Sequence, residues 1–205
     1  GEVMPVFPNA GGFTEEQLNR PLTPTAQRKV IAIKGYEGWV GRASVAVEAL
    51  YSLTKELADF KIVFYSCNRK TIRLVKKLKR KTGLNIEWHG KGELAHTEML
   101  DLFASARIYV GISLSDGIST SLLEAMAMGA FPIQTSTACV DDWYSNGRGG
   151  AQIETITTKR VATALSQALQ IRDTFALAEN LATVRMTCTA MRISKLSRAF
   201  YDLET

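Results

Sequence analysis

Two carboxylates, Asp116 and Glu124, lie in one stretch of the chain, Asp-Gly-Ile-Ser-Thr-Ser-Leu-Leu-Glu-Ala-Met-Ala-Met-Gly-Ala-Phe-Pro, running from Asp116 to Pro132. An ionised carboxylate is a pure acceptor, so a pair of them suits a ligand rich in hydroxyl groups. The preceding run Ile108-Tyr109-Val110-Gly111-Ile112 reads as a buried strand, and Asp116-Gly117 marks a turn. Strong helix formers begin at about Leu122, and Gly129 and Pro132 supply the stop. This pattern puts Asp116 in a loop at the carboxyl end of a strand and Glu124 in the first turn of the next helix. Ligands collect at that edge of an open α/β sheet, because helix N-termini and loop amides converge there. The spacing Ser121-Leu-Leu-Glu124 also fits a capping box, which gives Glu124 a purely structural alternative.

A second group of residues follows the first strand. Lys34-Gly35-Tyr36-Glu37-Gly38-Trp39-Val40-Gly41-Arg42 leads directly into a helix. Glycines there can bring backbone amides close to a phosphate, and Lys34 and Arg42 can neutralise a diphosphate. A glycine-rich corner can equally serve only to turn the chain. The spacing is not that of a dinucleotide fingerprint, and no Gly-Lys-Ser/Thr of a P-loop is present. A third stretch, Trp88-His89-Gly90-Lys91-Gly92-Glu93, follows the third strand at the same edge. Neither His89 nor His96 has a partner at metal-ligand spacing, so no metal site is expected. His89 reads as a solvated or hydrogen-bonded loop residue and His96 as a surface residue of a helix.

Taken whole, the Asp116–Pro132 pattern resembles the signature of retaining GT-B glycosyltransferases of the group 1, family 4 type, in their nucleotide-sugar-binding C-terminal domain. That family usually has Glu where this chain has Asp116. The resemblance implies a fold, the C-terminal half of GT-B, and a reaction, sugar transfer from a nucleoside-diphosphate sugar to an acceptor hydroxyl without an obligatory metal or other cofactor. It implies that Asp116, Gly117, Ile118 and Ser119 hold the donor sugar and that Glu124 holds the ribose. The diphosphate would meet Lys34, Gly35, Arg42, Thr120 and Ser121, and the base would lie against His89, Gly90 and Lys91. No catalytic residue is assigned in this half. Tyr36 stands where the family usually has Arg, and Gly41-Arg42 where it has Lys-Gly, so Arg42 would substitute from the adjacent place. Ser136-Thr137-Ala138 resembles the family's loop near the sugar.

Phe7-Pro8-Asn9-Ala10-Gly11 resembles the entry to the family's C-terminal domain. The resemblance therefore implies a preceding N-terminal domain, which would hold most of the acceptor, whether glycan, lipid or protein. Residues 1–29 are then a linker, 30–188 the Rossmann-like domain, and 189–205 a terminal helix that crosses back to the other domain or packs on its own. A fragment of this kind is expected to bind nucleotide and to transfer no sugar alone. Two other readings stay open: a non-catalytic nucleotide-binding or scaffold module with a degenerate site, and a nucleotide-sugar epimerase.

These residues must be positioned by regular elements, and the pattern for those is clear. Apolar runs at Val30–Ile33, Ile62–Tyr65, Ile86–Trp88, Ile108–Ile112 and Phe131–Gln134, with a weaker one near Gln152–Ile153, alternate with helical patterns. Such alternation predicts an α/β fold with a Rossmann-like parallel sheet and helices on both faces. Composition agrees with a folded globular chain, at 46% hydrophobic and 22% charged residues, which excludes disordered and collagen-like classes. Three widely spaced cysteines match no metal spacing and fit a reducing, cytoplasmic setting. The net charge of +5 is concentrated in residues 69–81, which carry eight basic residues and no acid, while the remainder of the chain is net negative. Ile72, Val75 and Leu78 recur there at helical spacing, predicting an amphipathic helix with a basic outer face. That face is either simply solvated or a contact for an anionic membrane surface, placing the protein at the membrane's inner face. Nucleic acid is not expected, since no aromatic interleaving or RNA-binding motif accompanies the charge.

Overall fold

Alternate residues of each strand point to opposite faces, and both faces are apolar. In the computed structural model, which describes residues 12–117, 119–137, 139–144, 146–147, 149–171 and 175–201 (backbone alone for 175–177), the strands form one sheet. They are β1 (Val30–Lys34), β2 (Lys61–Cys67), β3 (Ile86–Gly90), β4 (Ala106–Gly111), β5 (Phe131–Thr135) and β6 (Ala151–Ile153). All pairings are parallel, in the order β3-β2-β1-β4-β5-β6. The chain thus winds outward in one direction from β1, then returns past it and winds in the other. The point of reversal lies between β1 and β4, where loops leave in opposite directions and open a crevice.

Ile31, Ile33, Ile62, Phe64, Ile108, Val110, Phe131 and Ile133 face one side of the sheet. There they pack against α2 (Ala43–Leu50), α3 (Arg69–Thr82) and α6 (Thr158–Gln170). On the other side Ala32, Tyr65 and Tyr109 meet α4 (His96–Ser105), α5 (Thr120–Ala127) and α7 (Phe175–Thr187). A short α1 (Glu15–Leu18) and the terminal α8 (Ala190–Phe200) lie beside this second layer. The expected strands and the two-faced parallel sheet are all present. Ala46, Leu50, Leu53 and Leu57 recur at helical spacing and predict one continuous helix, but α2 ends at Leu50, and Leu53 and Leu57 are buried from a 3-10 turn and the loop after it.

Residues 12–29, expected to carry little regular structure, pack closely in the described part. Phe13 and Leu18 are buried, and Phe13 pairs its backbone with Cys188 and Ala190. Arg28 is buried at the opposite edge of the sheet from the site, donating to the carbonyls of Thr23, Ala106 and Met128. Burial lowers its pKa to about 10, yet it remains a cation at the C-terminus of α5, where positive charge is favourable. Gly129 ends that helix at φ +72°, a left-handed value that disfavours other residues, and a Cβ there would press on Arg28. On α8, Ile193 is buried against the chain's own domain, while Met191 and Tyr201 are exposed. Ile193, Leu196, Phe200 and Leu203 recur at helical spacing in the sequence; Leu203, like residues 1–11, lies outside the described residues.

Candidate functional site

Lys34 ends β1 and Asp116 stands in the loop after β4, so the two neighbouring strands at the switch point bring them together across 82 positions of sequence. Lys34 Nζ donates to Asp116 Oδ2 at 2.9 Å, with each side chain about one quarter exposed (24% and 25%). Burial disfavours the ammonium, but interactions with Tyr109 and with Asp116 outweigh it and hold the Lys34 pKa above its ordinary value. A group expected at the diphosphate and one expected at the sugar therefore form an ion pair in this structure.

The helix after Asp116 begins earlier than its sequence suggests. Ser119 is the N-cap and α5 runs from Thr120, which puts Ser121 inside the first turn and Glu124 in the second. The capping-box alternative for Glu124 is thereby corrected: Ser121 cannot cap a helix it lies within, and Glu124 is too far along to reach the N-cap amide. Nor does the Ser119 side chain cap the helix; it is buried beside the Tyr109 hydroxyl. No acidic residue occupies the first turn. By contrast α3, α6 and α8 are each capped by a side chain, from Asn68, Thr157 and Thr189. An uncapped helix N-terminus facing the ligand edge of a sheet presents amides and a partial positive charge to an anion. Ile118, expected to line the sugar pocket, lies outside the described residues; Gly117 is exposed between Asp116 and α5.

Glu124 is buried, at 7% exposure. Its Oε1 lies 2.7 Å from His96 Nε2, and among the described residues its other oxygen has no hydrogen-bond partner. Burial raises its pKa above the ordinary glutamate value, and His96 offsets this only in part. His96, expected to be a surface residue, opens α4 and is half exposed but paired. Sequence spacing held no signal for this contact, because the partner comes from a different helix 28 residues away.

The glycine-rich corner is built differently from the expected phosphate cradle. Residues 37–42 close into a small hairpin, with Glu37 bridged to Arg42 and Gly38 N–H donating to Gly41 O. The Glu37 carboxylate is buried and accepts from the Ser44 amide at 2.8 Å, in the first turn of α2, and from Lys70 Nζ at 2.9 Å. Burial raises its proton affinity, but the Ser44 amide and Lys70 outweigh that, so its pKa lies below the ordinary value. The chain thus supplies its own anion to the N-terminus of α2. Arg42 turns its guanidinium onto the carbonyls of Gly38, Trp39 and Gly41. Gly41 is required because a Cβ would strike the Tyr36 backbone, and Gly35 because one would strike Cys67. The hairpin is tied to the Asp116 loop through Arg42 N–H to Ile112 O and Leu114 N–H to Val40 O, and it carries Trp39 fully outward.

At the base-expected stretch, His89 and Gly90 belong to β3 itself rather than to the loop after it. His89 pairs with Glu87 at 2.8 Å, Gly90 N–H donates to Glu93, and Lys91 is exposed. After β5, Thr137 donates to the Ser113 carbonyl, while Ala138 lies outside the described residues. Among the described residues no cluster of three metal-ligating side chains occurs, and no helix is long and apolar enough to cross a membrane.

The sequence model of a family described as "Glycosyl transferases group 1" matches residues 28–171. No curated protein matches the chain. Among solved structures, a glycosyltransferase from Rickettsia africae is similar at a TM-score of 0.71 and 15% identity, over 94% of this chain and 56% of that one. The Anabaena protein Alr3699/HepE, in complex with UDP and glucose, is similar at 0.73 and 12% identity, with the same coverage of 94% and 56%. The N-terminal domain of a Candida albicans trehalose-6-phosphate phosphatase is similar at 0.66 and 12%, over 87% and 42%. At these identities the likeness is one of fold, and the chain spans about half the length of the structures it resembles.

Proposed function

Since the chain belongs to the group 1 glycosyl transferases, we propose that it binds the donor of a retaining transfer, in which a nucleoside-diphosphate sugar passes its sugar to an acceptor hydroxyl. The observation that carries this reading is the pair of carboxylates on the loop before α5 and in its second turn, at the switch point of the sheet, with a Ser119 N-cap whose side chain makes no capping bond. Asp116 and the amides that follow it accept and donate to the sugar hydroxyls. Glu124, with one oxygen unengaged, accepts from the ribose. Between them, the first turn of α5 and the Lys34 ammonium take the diphosphate. Their task at the transition state is to stabilise the charge that develops on the departing phosphate, which preformed amides and an ammonium do without reorganising and without a metal. Lys34 and Asp116 are each other's counter-charge, so neither of these part-buried charges stands uncompensated. The binding of UDP and glucose by the Anabaena protein supports a nucleotide sugar as ligand. Closure over an acceptor site outside this chain would complete the reaction, so the 205 residues alone bind without transferring. The basic face of α3 is proposed to rest on an anionic membrane.

A second reading, a module that has lost its donor site, draws on the hairpin: Glu37 fills the N-terminus of α2 and Arg42 is spent on carbonyls, which removes two of the expected phosphate contacts. A thermal-shift panel of UDP, GDP, ADP and dTDP separates the two. A ligand at a hundredfold excess over its Kd stabilises by about 2.7 kcal/mol, which raises Tm by roughly 5–10 °C at this size. The donor reading expects one nucleotide to do so for the wild type and not for Glu124→Ala. No shift with any of the four leaves the degenerate module as the reading.

A further inference from the structure

We propose that His96 is a positioning residue for nucleotide recognition: it fixes Glu124 so that the free carboxylate oxygen meets the vicinal hydroxyls of a ribose. The inference rests on the donor reading above, which already gives the ribose to Glu124, and adds to it the residue His96. Its measurable consequence is a preference for a ribonucleoside diphosphate over its 2′-deoxy form.

A glutamate side chain has three rotatable bonds, and a carboxylate that must accept two hydroxyls at once loses affinity for every rotamer that points elsewhere. Glu124 is fixed at one end by α5 and at the other by the 2.7 Å bond from His96, its one side-chain hydrogen bond among the described residues. With Oε1 held, Oε2 is the atom left to accept, and the buried surroundings strengthen any hydrogen bond made there. The imidazole is itself well placed. It projects from the first residue of α4, a turn secured by Glu98 accepting the Ala95 amide at 2.7 Å, and α4 packs against α5. His96 is half exposed while Glu124 is buried, so the pair runs from solvent to interior. A lysine there would add a fixed charge on a flexible stem; an imidazole Nε2–H supplies one directed donor from a short, rigid ring.

The test measures dissociation constants of UDP, GDP and ADP, each beside its 2′-deoxy counterpart, for the protein and for His96→Ala and His96→Gln. Gln carries an amide donor near the position of Nε2 and serves as the conservative rescue. The proposal expects His96→Ala to weaken the preferred ribonucleotide about tenfold, to cut its preference over the deoxy form to within about threefold, and His96→Gln to restore most of both. Nitrogen-15 spectra should report a locked Nε2–H tautomer of His96 that is lost in Glu124→Ala. Unchanged affinity and unchanged ribose preference in His96→Ala, with wild-type binding intact, overturn the proposal while leaving the donor reading standing. If the wild type binds none of the six diphosphates although the tautomer is locked, the donor reading falls and the pair is a structural contact only. That outcome overturns the proposal too.

Discussion

A buried carboxylate paired with a half-exposed imidazole, and with no other side-chain partner among the described residues, costs stability, and Glu124 is such a group. Its folded-state pKa is raised, so between the ordinary value of 4.5 and that raised value the folded chain binds more protons than the unfolded one. Stability therefore falls as pH rises through this window, and at neutral pH the whole cost is present. Glu124→Gln keeps an acceptor for His96 and removes the buried charge. It should melt higher than the wild type at pH 7.5, by about 1 kcal/mol or roughly 2–4 °C, and the gap should close as the pH is lowered past 4.5. The same variant should lose nucleotide binding, since a neutral amide is a weaker acceptor for ribose hydroxyls. Melting at or below the wild type at pH 7.5 would mean that Glu124 serves the fold. At this scale the sequence was informative about residue type and less so about partners. Asp116 and Glu124 could be picked out because their spacing sits on a strand–loop–helix pattern. The pairs Lys34–Asp116 and His96–Glu124 arise only once β1 lies beside β4 and α4 beside α5.

The element that departs most from its sequence reading is the hairpin of residues 37–42. Glycines before a helix suggested a place for phosphate, but a carboxylate three residues into the loop reaches the same amide first. Glycine spacing could not distinguish the two, because a cramped backbone and a ligand cradle need the same absence of Cβ. The start of α5, at Thr120 and not near Leu122, departs from the sequence pattern for a related reason. Thr120 and Ser121 are modest helix formers, and tertiary packing of Leu122, Leu123 and Met126 drew them into the helix regardless. Glu37→Ala tests the hairpin. Its folded pKa is depressed, so its contribution is present above pH 4.5 and disappears as the pH falls through the lower folded value. Most of that contribution comes from capping α2, because Lys70 is 66% exposed and its ion pair is screened by solvent. The variant should lose about 1 kcal/mol at pH 7, with a smaller loss at pH 3, and exchange of the Ser44 amide should quicken. Denaturant unfolding at both pH values measures the first, and hydrogen exchange the second. An equal loss at pH 3 and pH 7 would show that packing, not charge, is what Glu37 provides.

Over the whole molecule, alternation of apolar runs was enough to define six parallel strands and two helical layers, since a strand buried on both faces must be apolar throughout. The order of the strands was not legible, and it is the order that makes the switch point and so the site. The molecule has a second polarity that sequence alone did locate. On α3 the buried residues Thr71, Val75 and Leu78 face inward, and Arg69, Arg73, Lys76, Lys77 and Arg80 recur at three and four residues on the exposed side. Lys70 and Lys79 leave this stripe for bonds to Glu37 and to the Ile86 carbonyl, which sharpens it. No exposed large apolar side chain lies on the helix, so attraction to a membrane must be electrostatic, at about 1 kcal/mol for each basic residue near an anionic surface. Five such residues suffice for reversible binding to phosphatidylserine-containing vesicles in low salt. Binding should be negligible to phosphatidylcholine alone and should vanish near 1 M salt, where the screening length falls to about 3 Å. Arg73→Glu, Lys77→Glu and Arg80→Glu together should abolish cosedimentation while leaving Tm and nucleotide shifts unchanged, because these side chains touch neither core nor site. If the triple variant sediments with anionic vesicles as well as the wild type does, the stripe is a solvated face and the membrane contact must be given up.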